Sequence, residues 1–263
     1  MIRLEYRNVT MRFSSGGGTI TAIRNVSLSV ADGEVVAVIG PSGCGKSTLL
    51  NIGAGLLAPA EGEALVDGER VEGPNSHVAF MLQKDLLLPW RSIVENVMLG
   101  VEIKGFARTE CRRRAYELLD TFRLKEFADH YPHQLSGGMR QRAALARTLA
   151  VDPSVLLLDE PFSAVDAQTR IMLQQDLART LKQAGKTALL ITHDLLEAVI
   201  LSDRVLVMSA RPGQIVDEIE VDMADRDDPL KRRRDGKVSG FIARLMDGLH
   251  IGEATADLAR EAV

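Results

Sequence analysis

The sequence predicts an α/β protein with a mostly parallel sheet, an antiparallel β part near its N-terminus and an inserted helical subdomain. Three observations carry this. Three short apolar runs, residues 35–39, 155–158 and 188–191, each give way to polar residues at their carboxyl ends, as strands buried on both faces do. The first thirty residues alternate apolar and polar in two runs, 2–9 and 20–30, joined by a Ser/Gly turn. Between the first two buried strands lies a charged stretch, about 108–127, whose polarity suits helices outside the sheet.

The three glycines at 16–18 lack a following Lys-Ser/Thr, so they read as a plain turn. After the apolar run 204–208, the turn signal Arg211-Pro212-Gly213-Gln214 leads into another alternating strand, 215–221. Residues 225–235 mix nine charges around Pro229, and their alternating signs suit a solvated loop and helix start rather than a nucleic-acid patch. Phe241, Ile242, Leu245, Met246 and Leu249 then repeat at helical spacing, which predicts an amphipathic helix packed back on the body. The last dozen residues are expected to fray. This divides the chain into 1–225, with a core of 1–83 and 151–225 around a helical subdomain of about 84–150, and a charged linker and helix over 226–263.

Composition narrows the function classes. With 32 Lys+Arg against 36 Asp+Glu the formal charge is −4, which argues against a non-specific nucleic-acid binder. A chain of 263 residues, 46% hydrophobic, buries a sizeable core without metals or disulfides. The two cysteines, Cys44 and Cys111, are therefore expected as free thiols. The opening residues interrupt every apolar run with charge, so no signal-peptide core is expected there. No stretch approaches the ~20 apolar residues of a membrane helix, so work at a membrane needs a partner.

Directly after the first buried strand, residues 40–48 match the phosphate-loop pattern: Gly40, four residues including Ser42, Gly43 and Cys44, then Gly45, Lys46, Ser47 and Thr48. Glycines let successive backbone N–H groups turn inward around phosphate oxygens, and the following helix points its positive end at the same anion. Lys46 supplies a point charge, and the Ser47 hydroxyl a ligand for Mg²⁺. Asp159, at the end of the second buried strand, reads as the other Mg²⁺ anchor, on a strand expected to lie beside the loop. With Asp159 held ionised by the metal, adjacent Glu160 is left to accept a proton from water.

Leu135-Ser136-Gly137-Gly138-Met139-Arg140-Gln141 opens a helix rich in small residues, a second anion-binding N-terminus. One nucleotide cannot easily use both ends within one subunit. The economical solution is two subunits head to tail, each covering the other's γ-phosphate.

In these motifs, and in their order, the chain resembles the ATP-binding subunits of ABC transporters over nearly its whole length. Residues 40–48 look like Walker A, Gln83 the Q-loop, 135–141 the signature, 155–160 Walker B, 163–166 the D-loop and His193 the switch histidine. The resemblance implies ATP and Mg²⁺ as ligands, with Gln83 sensing the γ-phosphate and metal. It implies Ser136, Gly137, Gly138 and Gln141 acting on the partner's nucleotide, Asp166 ordering the dimer contact, and His193 holding the γ-phosphate or attacking water. Phe13 occupies the place of the aromatic that stacks on adenine, whereas Tyr6, inside the first strand, suits packing better.

Residues 83–90 and 192–213 resemble more narrowly the importers of the nitrate, sulfonate and taurine group. Leu82 and residues 51–55 depart from that subgroup's pattern. Leu88, Pro89 and Trp90 follow the Q-loop where the fold receives a permease, and Trp90, the one tryptophan, suits an interface anchor. The resemblance implies a homodimeric ATPase, cytoplasmic and peripheral on the inner face of the membrane. It would drive permease subunits supplied by a periplasmic or lipoprotein substrate-binding protein, with no nucleic-acid partner. The alternatives are a soluble ATPase of this superfamily acting on ribosome or DNA, and a different transporter class.

Overall fold

The computed structural model describes residues 1–15, 18–163 and 165–249. The chain opens with two long strands, β1 (Ile2–Ser15) and β2 (Gly18–Ala31), then β3 (Val35–Ile39), helix α1 (Lys46–Gly53), β4 (Glu61–Val66), β5 (Glu69–Arg70) and β6 (Val78–Met81). Helices α2 (Ile93–Ile103), α3 (Arg108–Thr121) and α4 (Gly137–Ala150) follow. Strand and helix then alternate through β7 (Val155–Asp159), α5 (Ala167–Gln183), β8 (Thr187–Ile191), α6 (Leu195–Leu201), β9 (Arg204–Met208) and β10 (Ile215–Glu220). Two short helices, α7 (Pro229–Arg233) and α8 (Val238–Gly248), complete the described chain.

Two sheets form. The antiparallel one has the order β2-β1-β4-β5, and its first pair runs in register from Ile2↔Ala31 to Ser15↔Gly18, so both strands outrun the alternating segments that predicted them. The other has the order β10-β9-β3-β8-β7-β6, parallel except for the β9–β10 pair. The expected neighbour relation needs correction here: β7, which carries Asp159, is separated from β3 by β8. The expected helical stretch also ends early: α3 stops at Thr121, and Phe127 belongs to a separate 3-10 turn, Lys125–Phe127. Arg123, at φ 56, breaks the helix between them.

The wide sheet is buried on both faces, and the strand period of two splits its side chains between separate cores. Val155 and Leu157 face Tyr6, Leu49 and the antiparallel sheet, while Leu156 and Leu158 face the helices of the inserted subdomain. That subdomain therefore shares its core with the sheet. Tyr6 is buried as expected for packing, and its hydroxyl donates to the Leu49 carbonyl at 3.0 Å. Gly53, in the segment that departs from the subgroup, makes room for it: a Cβ there would stand 2.1 Å from the Tyr6 hydroxyl.

Helix α8 packs its apolar stripe on the body, with Leu245 fully buried beside Val205 and Val207 of β9. The charge run before it is largely solvated as its composition predicts, with Arg232 the exception. Arg232 is only 3% exposed, and its guanidinium donates to the carbonyls of Ser202 at 2.7 Å and Ala224 at 2.8 Å. A helix C-terminus leaves carbonyls unpaired and attracts cations, and Arg232 serves the end of α6 in this way. The turn glycines at 16–17 and the tail expected to fray lie outside the described residues. Both cysteines are free and buried. Among the described residues no helix is long and apolar enough to cross a membrane.

Candidate functional site

Four adjacent parallel strands deliver their carboxyl ends to one edge in the order β3, β8, β7, β6. The phosphate loop follows β3, His193 comes just after β8, Asp159 and Glu160 end β7, and Gln83 comes just after β6. A cavity of about 720 Å³ opens on this edge and is lined by Phe13, Ser42, Gly43, Gly45, Lys46, Ser47, Thr48, Gln83, Glu160 and His193.

The loop's geometry explains its glycines. Gly43 at φ 75 and Gly45 at φ 107 take the left-handed conformations that let the chain fold back on itself before α1. A Cβ on Gly45 would also meet Ile23 at 2.4 Å. Lys46 lies buried under the loop, with Nζ donating to the carbonyls of Gly40 at 2.7 Å and Pro41 at 3.0 Å. Gly40 and Cys44 stand behind the cavity wall: the Cys44 thiol is buried, and its N–H donates to the Pro41 carbonyl.

At the strand ends, Glu160 gathers two partners. Its Oε2 accepts from Gln83 Nε2 at 3.0 Å and lies 3.2 Å from His193 Nδ1. The Glu160 N–H extends the β7–β8 ladder by donating to the Ile191 carbonyl at 2.9 Å. Its φ of 46 is left-handed, a strained conformation for a side-chain-bearing residue that recurs at functional sites. Burial pushes the Asp159 carboxyl above the ordinary range, and its Glu160 neighbour adds to this, while the Ser47 hydroxyl and Lys46 pull it down.

The donor set suits Mg²⁺. Asp159, buried beside the wall and hydrogen-bonded by the Ser47 hydroxyl, would supply a carboxylate, Ser47 a hydroxyl and Gln83 an amide oxygen, the sparse oxygen set of an ion that keeps waters and takes substrate phosphates. Among the described residues no group of three His, Cys, Asp or Glu side chains could hold a metal by itself. The ion would thus arrive with phosphate oxygens completing its shell.

The signature residues stand elsewhere. Ser136 caps α4, its hydroxyl accepting from the Met139 N–H at 3.3 Å, and none of Ser136, Gly137 and Gly138 lines the cavity of their own chain. Gly138 lies against the start of α5, where a Cβ would meet Thr169 at 2.7 Å. Asp166 caps α5, accepting from the Gln168 and Thr169 N–H groups at 3.1 and 3.0 Å, and is exposed. Gln141 needs correction. It is 2% exposed and points into its own subunit, donating to the Pro161 carbonyl at 2.8 Å, because the helical turn carries it round to the core face of α4. Trp90 is 72% exposed and Pro89 exposed, with Leu88 half-buried beside them. Sequence reasoning missed Ile20, Ala22 and Arg211 on the cavity wall. The first two belong to a strand read only for its alternation, and Arg211 to a turn read as a turn and as part of the subgroup resemblance, with no role at the site.

The ABC transporter family model matches residues 23–163. The chain belongs to the ABC transporter family. As a member it is an ATP-binding subunit with ATPase activity that uses ATP and Mg²⁺. Among its relatives, the taurine import ATP-binding protein TauB of Jannaschia sp. (strain CCS1) is 45% identical over 226 residues, covering 86% of this chain and 84% of that protein. The uncharacterized ABC transporter ATP-binding protein MJ0412 of Methanocaldococcus jannaschii is 46% identical over 222 residues, 84% of this chain and 83% of the other. A solved dimer of the ABC cassette MJ0796, in a post-hydrolysis state bound to ADP and Pi, superposes with a TM-score of 0.76 at 34% identity, covering 84% of this chain and 99% of that one.

Proposed function

We propose that this ABC ATPase energises an importer of a small anion of the nitrate, sulfonate or taurine type, acting as a homodimer on the cytoplasmic face of membrane permease subunits. The observation that carries the import reading is the 45% identity, over most of both chains, to a protein named for taurine import. The dimeric state of MJ0796 supports pairing of two copies. Exposed Pro89 and Trp90, with half-buried Leu88 beside them, support a permease contact beside Gln83, since a large aromatic left in water is a common interface anchor. Substrate would come from a separate binding protein.

In this reading the loop N–H groups and Lys46 hold the phosphates, and Phe13 packs on the base. Asp159, Ser47 and Gln83 would hold Mg²⁺, which would supply positive charge to neutralise the phosphates. Glu160 takes a proton from the attacking water as its oxygen bonds to the γ-phosphorus and the bridging oxygen leaves with ADP, while His193 keeps that carboxylate and water in line. Ser136, Gly137 and Gly138 offer an exposed helix N-terminus to the γ-phosphate held by the other copy. Asp166, beside them, meets the partner. Hydrolysis then removes the anion that joins the two copies, and the pair reopens.

Affinity purification of the tagged chain from detergent-solubilised host membranes tests the reading. Recovery of a multi-spanning permease, and binding of sulfonates, taurine or nitrate by its companion binding protein, is expected. Ribosomal or DNA-repair proteins without a permease would overturn it.

A further inference from the structure

Arg211 lines the nucleotide cavity, yet none of the motifs accounts for it. It sits on the turn between β9 and β10, and its Nε and Nη2 both donate to the Gly43 carbonyl, at 3.2 and 3.0 Å. Two residues on, Gly213 presses against the next carbonyl of the loop: a Cβ there would stand 2.0 Å from the Cys44 oxygen. The same glycine is tied to β2, its N–H donating to the Ala22 carbonyl at 2.9 Å and its carbonyl accepting from the Arg24 N–H at 3.0 Å. The turn therefore meets two consecutive carbonyls of the phosphate loop and fixes them to the antiparallel sheet.

A carbonyl oxygen free to swing into the cavity would repel a phosphate, so a donor that fixes the Gly43 carbonyl sets what the loop presents to the anion. Arg211 does the holding with two of the five N–H donors of a guanidinium. Among the described residues it has no carboxylate partner and no other hydrogen bond, so its charge is not spent on a neighbouring side chain. Lys46, the other cation on the cavity wall, is buried beneath the loop, whereas Arg211 is exposed at its rim.

We propose that Arg211 is a nucleotide-binding residue, orienting the Gly43 peptide and placing a second positive charge against the polyphosphate. This rests on the nucleotide-site reading above. Both parts predict a ligand-affinity role, because Arg211 does not touch the Gln83, Glu160 and His193 group.

Calorimetric titration of the full chain with MgADP separates charge from loop support. Arg211→Gln keeps an amide donor for Gly43 without the charge, and Arg211→Ala removes both. Arg211→Gln is expected to bind MgADP about tenfold more weakly and Arg211→Ala more weakly still, and the glutamine loss should shrink between roughly 0.05 and 0.5 M salt as the charge is screened. In turnover assays the KM for ATP should rise by more than kcat falls. If alanine disturbs the turn, seen as a drop in the unliganded Tm, glutamine carries the comparison. Wild-type affinity in Arg211→Gln, or a loss independent of salt, overturns the inference. Failure of the unmodified chain to bind MgADP would instead overturn the site reading beneath it.

Discussion

The Gln83 side-chain amide donates to Glu160 Oε2 at 3.0 Å, on the same oxygen that His193 approaches from the neighbouring strand end. Two residues from separate parts of the chain thus converge on one carboxylate. Glu160→Gln should keep MgATP binding, read by calorimetry, while phosphate release falls on the order of 10²-fold or more. Ordinary turnover in that variant would exclude Glu160 as the base.

Lys46 holds its ammonium against two loop carbonyls, Gly40 and Pro41. Lys46→Ala removes the charge and leaves both oxygens without their donor, so nucleotide affinity should drop by roughly 10²-fold, the worth of a charged hydrogen bond or two. Unchanged binding would remove the loop from the site.

Gln141 is a second test, because its resemblance-based role and its position differ. Its amide braces the Pro161 carbonyl, one residue past Glu160. Gln141→Ala should cost about 1–3 kcal/mol by leaving that buried oxygen unpaired, lowering Tm by several degrees in the isolated chain. A variant with normal Tm that fails only to pair with a second copy would restore the outward role.

The buried Arg232 offers the largest stability effect. Arg232→Ala strips the carbonyls of Ser202 and Ala224 of their donor and should destabilise by about 3 kcal/mol. Denaturant unfolding monitored by circular dichroism reads this directly, and a loss below about 0.5 kcal/mol, typical of a surface substitution, would return Arg232 to the solvated class.

Glu197 gives a pH signature. Buried on α6, it accepts from Thr192 Oγ1 at 2.7 Å and Gln174 Nε2 at 3.1 Å, and burial raises its carboxyl above the ordinary value. A raised acid binds its proton more tightly folded than unfolded. Its destabilising contribution is absent below the ordinary glutamate pKa and grows as pH rises through the folded value. Glu197→Gln should therefore gain Tm relative to the wild type as pH climbs from the ordinary glutamate value toward neutrality. Parallel Tm curves over that window would show that Glu197 titrates normally.

Much of this was legible in the sequence because apolar runs such as 155–158 and 188–191 leave little choice but a doubly covered strand, and polar residues at their ends must share one edge. The glycines of the loop carry their conformational demand in their spacing. What escaped was set by the third dimension. That β8 lies between β3 and β7 follows from chain crossovers, which local pattern does not encode. Gln141 and Ser136 sit five residues apart on one motif, yet the turn of the helix sends one inward and leaves the other at the cap. Arg232 belongs to a charge run, and only the nearby end of α6 distinguishes it from its solvated neighbours. Arg211 belongs to a turn signal and to a subgroup resemblance, neither of which gives it a role, and its contact lies at a carbonyl 168 positions earlier.

Beside Arg232, the side chain of Arg233 donates to Gln174 on α5 at 3.3 Å, Gln174 donates to Glu197, and Glu197 accepts from the residue just before His193. The boundary at 225, natural by charge and composition, is therefore no seam. A chain cut there would lose the plug at the end of α6 and the outermost member of a hydrogen-bond chain that ends one residue short of His193. The catalytic body, measured by its hydrogen bonds, extends through α7.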